Sequence, residues 1–171
     1  MRHAGGATVP PYDSGDRDRP PGPPVKLRSF GLHDVQGLYG GNALWAAADR
    51  TTIVQVVGDP PAGRRGLWER RYRTTLSAGQ WAEVERLVGA CHLAAFNVPE
   101  RPGIPDEACP IIFAVPCDRA TIKVRKWAND RHWGFDPVYA HLLGLCRAEG
   151  EPIHEGAYDW DWRPDGFDRP W

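Results

Sequence analysis

The sequence has little sulfur chemistry: 1 Met and 4 Cys, at 91, 109, 117 and 146, with none of the close pairs that zinc or redox motifs use. A disulfide framework is therefore not expected, and reduced thiols in a cytoplasmic setting are. Cys91 and Cys146 fall on apolar helical faces, where a thiol behaves as a small hydrophobe. No run approaches the ~18 consecutive apolar residues of a membrane helix, and MRHAGGATVPPYDSG has no apolar stretch of secretory type. No membrane partner is expected. His33, His92, His132, His141 and His154 contain no i, i+4 pair of zincin type. Leu38-Tyr39-Gly40-Gly41-Asn42 is too short for a phosphate loop and no Gly-Lys-Ser/Thr follows it. A nucleophile elbow is missing as well. No metal site and no cofactor is expected.

Charge of one sign is lacking too, since 21 Lys+Arg face 22 Asp+Glu over 171 residues. The near-zero total is a cancellation. Residues 1–24 sum to 0, residues 25–150 to +3 and residues 151–171 to -4. Residues 62–75 hold five Arg (64, 65, 70, 71, 73) against Glu69. The last 21 residues combine six acids with Tyr158, Trp160, Trp162, Phe167 and Trp171. Five aromatics so placed would be a liability if left in solvent, which predicts a tail (151–171) packed on the domain or on a protein partner. The Arg-rich strand is the surface it would cross.

Residues 1–24 hold 6 Pro and 4 Gly with almost no large apolar residue, so nothing there offsets the ordering entropy, and a disordered leader is expected. The chain's 42% apolar content supports one packed domain, placed at 25–150. Residues 43–57 suggest a hairpin turning at Asp49-Arg50, and 67–76 a strand with a charged face. Ser77-Ala78-Gly79-Gln80 is a capping box before Trp81, Val84, Leu87, Val88 and Cys91 at helical spacing, which predicts a helix over 78–92. Residues 97–110, with four Pro, form a loop. Residues 111–117 and 121–128 give a second hairpin around Asp118-Arg119. Asp136-Pro137 opens a second helix that ends at Gly150. The expected order is β-β-β-α-β-β-α, an α+β domain of five antiparallel strands with both helices on one face.

Three clusters carry candidate chemistry. The loop before the second hairpin and the loop after it meet at one end, which would bring Asp106 and Glu107 near Asp130 and His132, the raw material of acid/base or metal-assisted hydrolysis. The competing account is that these carboxylates cap backbone N–H groups or pair with Lys126 or Arg131. Arg71 with Arg73, and Lys123 with Arg125, would line strand faces that Trp68, Tyr72 and Trp127 supplement with stacking surface, a combination that suits single-stranded nucleic acid. Nucleic acid is nevertheless not the expected partner, because the aromatic signature segments of sheet-type readers are missing. A tail lying across the Arg-rich face would weaken that reading further, and an open face would strengthen it. The acidic aromatic tail itself is the third candidate, as a protein-binding segment. The missing catalytic constellations favour a binding or accessory domain over an enzyme.

Gly103-Ile104-Pro105-Asp106-Glu107, the Ile-rich strand, Val124-Arg125-Lys126-Trp127 and Phe135-Asp136-Pro137-Val138-Tyr139 together resemble a pattern of small bacterial α+β domains, over residues 38–148. The resemblance implies the fold and no activity.

Overall fold

The computed structural model describes residues 19–95 and 108–168. Four strands come first, β1 (Leu27–Gln36), β2 (Gly40–Ala47), β3 (Thr51–Gly58) and β4 (Trp68–Thr75). Helix α1 (Ala78–Ala90), a 3-10 turn (Leu93–Ala95), β5 (Ile111–Pro116), β6 (Ile122–Arg125), α2 (Phe135–Leu145) and β7 (Glu151–Ala157) follow. All seven strands form one sheet in the order β6-β5-β1-β2-β3-β4-β7. Every neighbouring pair is antiparallel. The class is α+β, with seven strands where five were expected.

The two additional strands lie at opposite extremes of burial. Leu27–Gln36 is central, paired with β2 on one side and β5 on the other. Its period-2 pattern is interrupted in the sequence by Gly31, His33 and Asp34, so the run does not announce itself. Gly31 is required by packing: a Cβ there would lie 2.1 Å from the Phe113 ring and 2.3 Å from the Leu44 carbonyl oxygen. Glu151–Ala157 is an edge strand with Pro152 and two glutamates, the composition that blunts an edge against further pairing.

Register divides the apolar residues into two sets. Phe30, Leu32, Leu44, Ala46, Val54, Ile112, Ala114 and Val124 face the helices and pack against Val84 and Val88 of α1 and Phe135, Val138 and Leu142 of α2. Val35, Ala43, Trp45, Val57 and Phe113 face the other way and form a separate cluster. At the β2–β3 turn Arg50 takes a left-handed φ of 68°, a conformation that ordinarily disfavours a side chain. Asp49 compensates by accepting from the Thr51 N–H (2.9 Å) and hydroxyl (3.0 Å), which is how the hairpin turns without Asn-Gly.

The capping box forms on α1. Ser77 Oγ accepts from Gln80 N (3.1 Å), and Gln80 Oε1 accepts from Ser77 N (2.8 Å). Helix α2 begins at Phe135, with Gly134 as its N-cap and Asp136 inside the first turn, and ends at Leu145 rather than at Gly150. Of the Pro-rich N-terminal stretch, residues 1–18 lie outside the described residues. Beyond them the chain runs along α1, where Gly22 and Gly89 allow close approach. A Cβ at Gly89 would sit 1.9 Å from the Pro23 carbonyl oxygen. Buried Glu85 then anchors the start of β1 by accepting from Lys26 Nζ (2.8 Å), Leu27 N (3.1 Å) and Trp81 Nε1 (3.3 Å). Among the described residues no helix is long and apolar enough to cross a membrane.

Candidate functional site

The face of the sheet away from the helices carries the charge. In register across β3, β4 and β7 stand Gln55, Arg71 and His154, with Glu69 one position along on the same face of β4. Glu69 is fully buried and Arg71 is 7% exposed. A carboxylate without water needs its lone pairs filled. Glu69 fills them by accepting from Gln55 Nε2 and Arg71 Nη2, with His154 Nε2 3.3 Å from the oxygen that Arg71 engages. So engaged, its oxygens are turned to neighbouring side chains and not to solvent.

Residues 158–168 cover this arrangement as a strap. Tyr158 N donates to the Leu67 carbonyl (3.0 Å), fixing the strap's start beside β4. The Arg71 guanidinium carbon lies 3.6 Å from the centre of the Trp162 ring. Trp162 also meets Trp45 of β2 edge-on, with centroids 5.5 Å apart at 87°. Phe167 reaches Phe113 of β5 at 6.2 Å. The strap therefore crosses β3, β2 and β1. Its own conformation is held by Asp159 Oδ1 accepting from Asp161 N (2.9 Å), and by Arg163 donating to the carbonyls of Phe167 (3.0 Å) and Asp161 (3.1 Å).

Packing beneath the strap mixes the small apolar cluster with polar groups whose hydrogen bonding is incomplete. Trp45 Nε1, Arg71 Nε and the Tyr158 hydroxyl are buried without a hydrogen-bond partner among the described residues. Each such group costs about 1–3 kcal/mol. Burial, with Glu69 and Asp159 nearby, holds the Tyr158 hydroxyl in its neutral form. On the same face, burial pushes the His33 imidazole down to about 4, so it is neutral at pH 7.

The expected basic and aromatic residues do not form one surface. Arg71 and Arg73 share the strap face, whereas Trp68 and Tyr72 alternate onto the opposite face of β4. Glu155 receives Trp68 Nε1 (3.1 Å) and Arg70 Nε (3.2 Å) there, and these bonds hold its carboxyl below the usual range. Lys123 and Arg125 do share the strap face, on β6, but four strands separate them from β4. Trp127 lies beyond β6, in the loop that leads to α2.

That loop is gathered around Lys126, only 5% exposed. Its ammonium donates to the carbonyls of Trp127 (3.4 Å), Ala128 (3.4 Å) and Asp130 (2.5 Å) and lies 3.2 Å from an Asp136 oxygen. Asp136 also accepts from His132 N (2.7 Å). The His132 ring is lowered, chiefly by burial. Asp106 and Glu107 lie outside the described residues. At residue 108 the described chain resumes against this loop, with Ala128 N donating to the Ala108 carbonyl (3.0 Å). Among the described residues no three His, Cys, Asp or Glu side chains gather as a metal site. Burial raises the Cys91 thiol and pushes Cys146 up to about 12, so neither is a thiolate nucleophile near neutral pH.

Alternation along 67–76 places Glu69 on the charged face with Arg71 and Arg73, but the sequence did not single out Glu69, Gln55 or His33 as site residues. A signal existed for two of them: Gln55 interrupts a β-branched run, and Glu69 precedes Arg71 by two residues and so shares its face. No protein-family model, no curated protein and no solved structure matches the chain.

Proposed function

We propose that this chain is a non-catalytic binding domain that engages a protein partner through the loop-bearing end of its sheet. The β1–β2 tip, the loop between β4 and its predecessor, the loop between β6 and α2 and the strap all emerge at that end. The observation that carries the reading is the hairpin tip itself. Leu38 and Tyr39 are each 80% exposed, adjacent, and supported by a rigid four-stranded meander. Gly40 makes the tip possible, with φ 74° and no room for a Cβ, which would lie 2.2 Å from the Val57 carbonyl oxygen. Trp160, 43% exposed on the strap, adds a second anchor. Aromatic and aliphatic side chains held out on a rigid turn lose little entropy on docking, which is what an interface anchor needs. The buried, fully engaged Glu69 and the high thiol of Cys146 support a binding rather than a catalytic role.

A photo-crosslinking residue in place of Tyr39, expressed in the cells the chain comes from, tests this. The expected result is one discrete adduct, absent when the group stands at exposed Arg119 on the opposite end of the sheet, and lost when Leu38→Ser is added. Equal labelling from positions 39 and 119 would overturn the proposal.

A further inference from the structure

The strap face has the features of a nucleic-acid platform, and the strap resembles what such a platform binds. Trp45, Gly31 and Phe113 stand in register on the adjacent strands β2, β1 and β5. Two aromatic rings thus flank a position with no side chain. Beyond the Arg71–Glu69 pair, the same face carries Arg73, Lys123 and Arg125. Arg73 and Lys123 are exposed. Against this, the strap presents Trp162 and Phe167 on its inner side and bears Asp159, Asp161, Asp165 and Asp168 with a single compensating Arg163. Trp162 lies over the Arg71 guanidinium at 3.6 Å, as a base does over an arginine plane. Rings that stack, interleaved with anions, are the chemistry of bases and phosphates.

We infer that the strap is a built-in competitor, and that the strap face binds single-stranded nucleic acid only when residues 158–168 are displaced. From β4 to β6 is five strand spacings, about 24 Å, enough for a strand of about four nucleotides to run the strap's route. The unmatched Trp45 Nε1 and Arg71 Nε are donors that the strap leaves unused and that a nucleic acid rich in acceptor oxygens would fill. The hairpin tip plays no part in this site, and although Trp160 rides on the strap, crosslinking from position 39 and oligonucleotide binding read the two proposals separately.

The test is fluorescence anisotropy with labelled oligo(dT) and oligo(U), using the full chain and full-chain Trp162→Ser/Phe167→Ser. The wild type is expected to bind weakly and the variant about tenfold more tightly, with the gain shrinking as salt rises from about 50 to 200 mM. Adding Arg73→Glu and Lys123→Glu should abolish the gain. If the serine variant does not fold by near-ultraviolet circular dichroism, Trp162→Leu/Phe167→Leu keeps both positions apolar, removes the aromatic rings that hold the strap over Arg71 and Phe113, and decides the question with a gain in the same direction. A folded variant that binds no better than wild type overturns the inference. So does a gain that survives the glutamate changes, or one that polyglutamate competes away as well as oligonucleotide does, which would make the face a site for acidic polypeptide.

Discussion

The two faces of the sheet are built from the same strands but held by different physics. On the helix face Phe30, Leu32, Leu44, Phe135 and Val84 are all completely buried, and α1 and α2 close over them with apolar side chains. On the strap face a fully buried carboxylate, a guanidinium, an amide and a neutral imidazole stand beside a small apolar cluster, one irregular segment covers part of that face, and among the described residues three polar atoms there lack partners. The first arrangement is close-packed and gains stability from removing apolar area from water. The second spends much of its attraction on desolvating charge. The helix face is a core, and the strap face is a covered site.

The largest effects distinguish the faces by whether a second change can rescue the first. Phe30→Ala should cost about 3–5 kcal/mol, because the cavity cannot collapse between sheet and helices. Glu69→Ala should cost about as much, roughly 3–5 kcal/mol, by leaving Arg71 buried and unpaired. Replacing both partners, Glu69→Met with Arg71→Leu, should recover part of that loss in urea stability, the remainder being the Gln55 amide left without its acceptor and the lost Arg71–Trp162 contact. A double variant as unstable as Glu69→Ala would show that the pair does more than neutralise itself. A smaller loss is expected from Trp162→Ala, about 2 kcal/mol, from the desolvated cation–ring contact and partial burial. Hydrogen exchange should quicken across 158–168 while the β1–β2 amides keep their protection. Equal quickening in both would mean that the faces are one cooperative unit.

The pH dependence of the strap face follows from His33. Its folded value, about 4, lies below the ordinary 6.5, so the unfolded chain takes up the proton first as pH falls. Its contribution is fully present above about pH 6.5 and is lost progressively toward pH 4. Urea midpoints measured across that window should fall less steeply in His33→Gln than in wild type, and parallel curves would refute the assignment. The smallest effect belongs to the helix face, where Ser77→Ala removes the cap and should cost about 1 kcal/mol.

How much of this was legible varies with how locally each feature is encoded. The capping box and the apolar stripe of α1 lie within fifteen consecutive residues, and the helix follows from them directly. The β2–β3 hairpin and the strand at β4 were equally readable. Strand β1 was not, because Gly31 is explained only by Phe113, about eighty residues later, which fills the space above it. Strand β7 carries the signature of an edge, and an edge resembles a polar tail when its neighbour is unknown. The Arg71 position shows the limit most plainly. Alternation places it on a charged face, but whether that face meets solvent depends on Trp162, which the chain supplies ninety-one residues on. Charge summed by segment did register the imbalance between body and C-terminal stretch, although it could not say which residues would meet.

Strand order also sets a sequence of assembly. Residues 27–75 form an uninterrupted meander, each strand beside its neighbour in the chain, and its contacts close over short loops. Everything later is added to its outside: β5 and β6 to the free edge of β1, β7 to the free edge of β4. The contacts of lowest sequence separation therefore lie within this meander, the kind that cost the least loop-closure entropy to form. Until the C-terminal stretch arrives, the edge of β4 and the rings of Trp45 and Phe113 are bare. A chain lacking residues 158–168 would thus leave its stickiest surface exposed, and it is this one irregular segment that covers it.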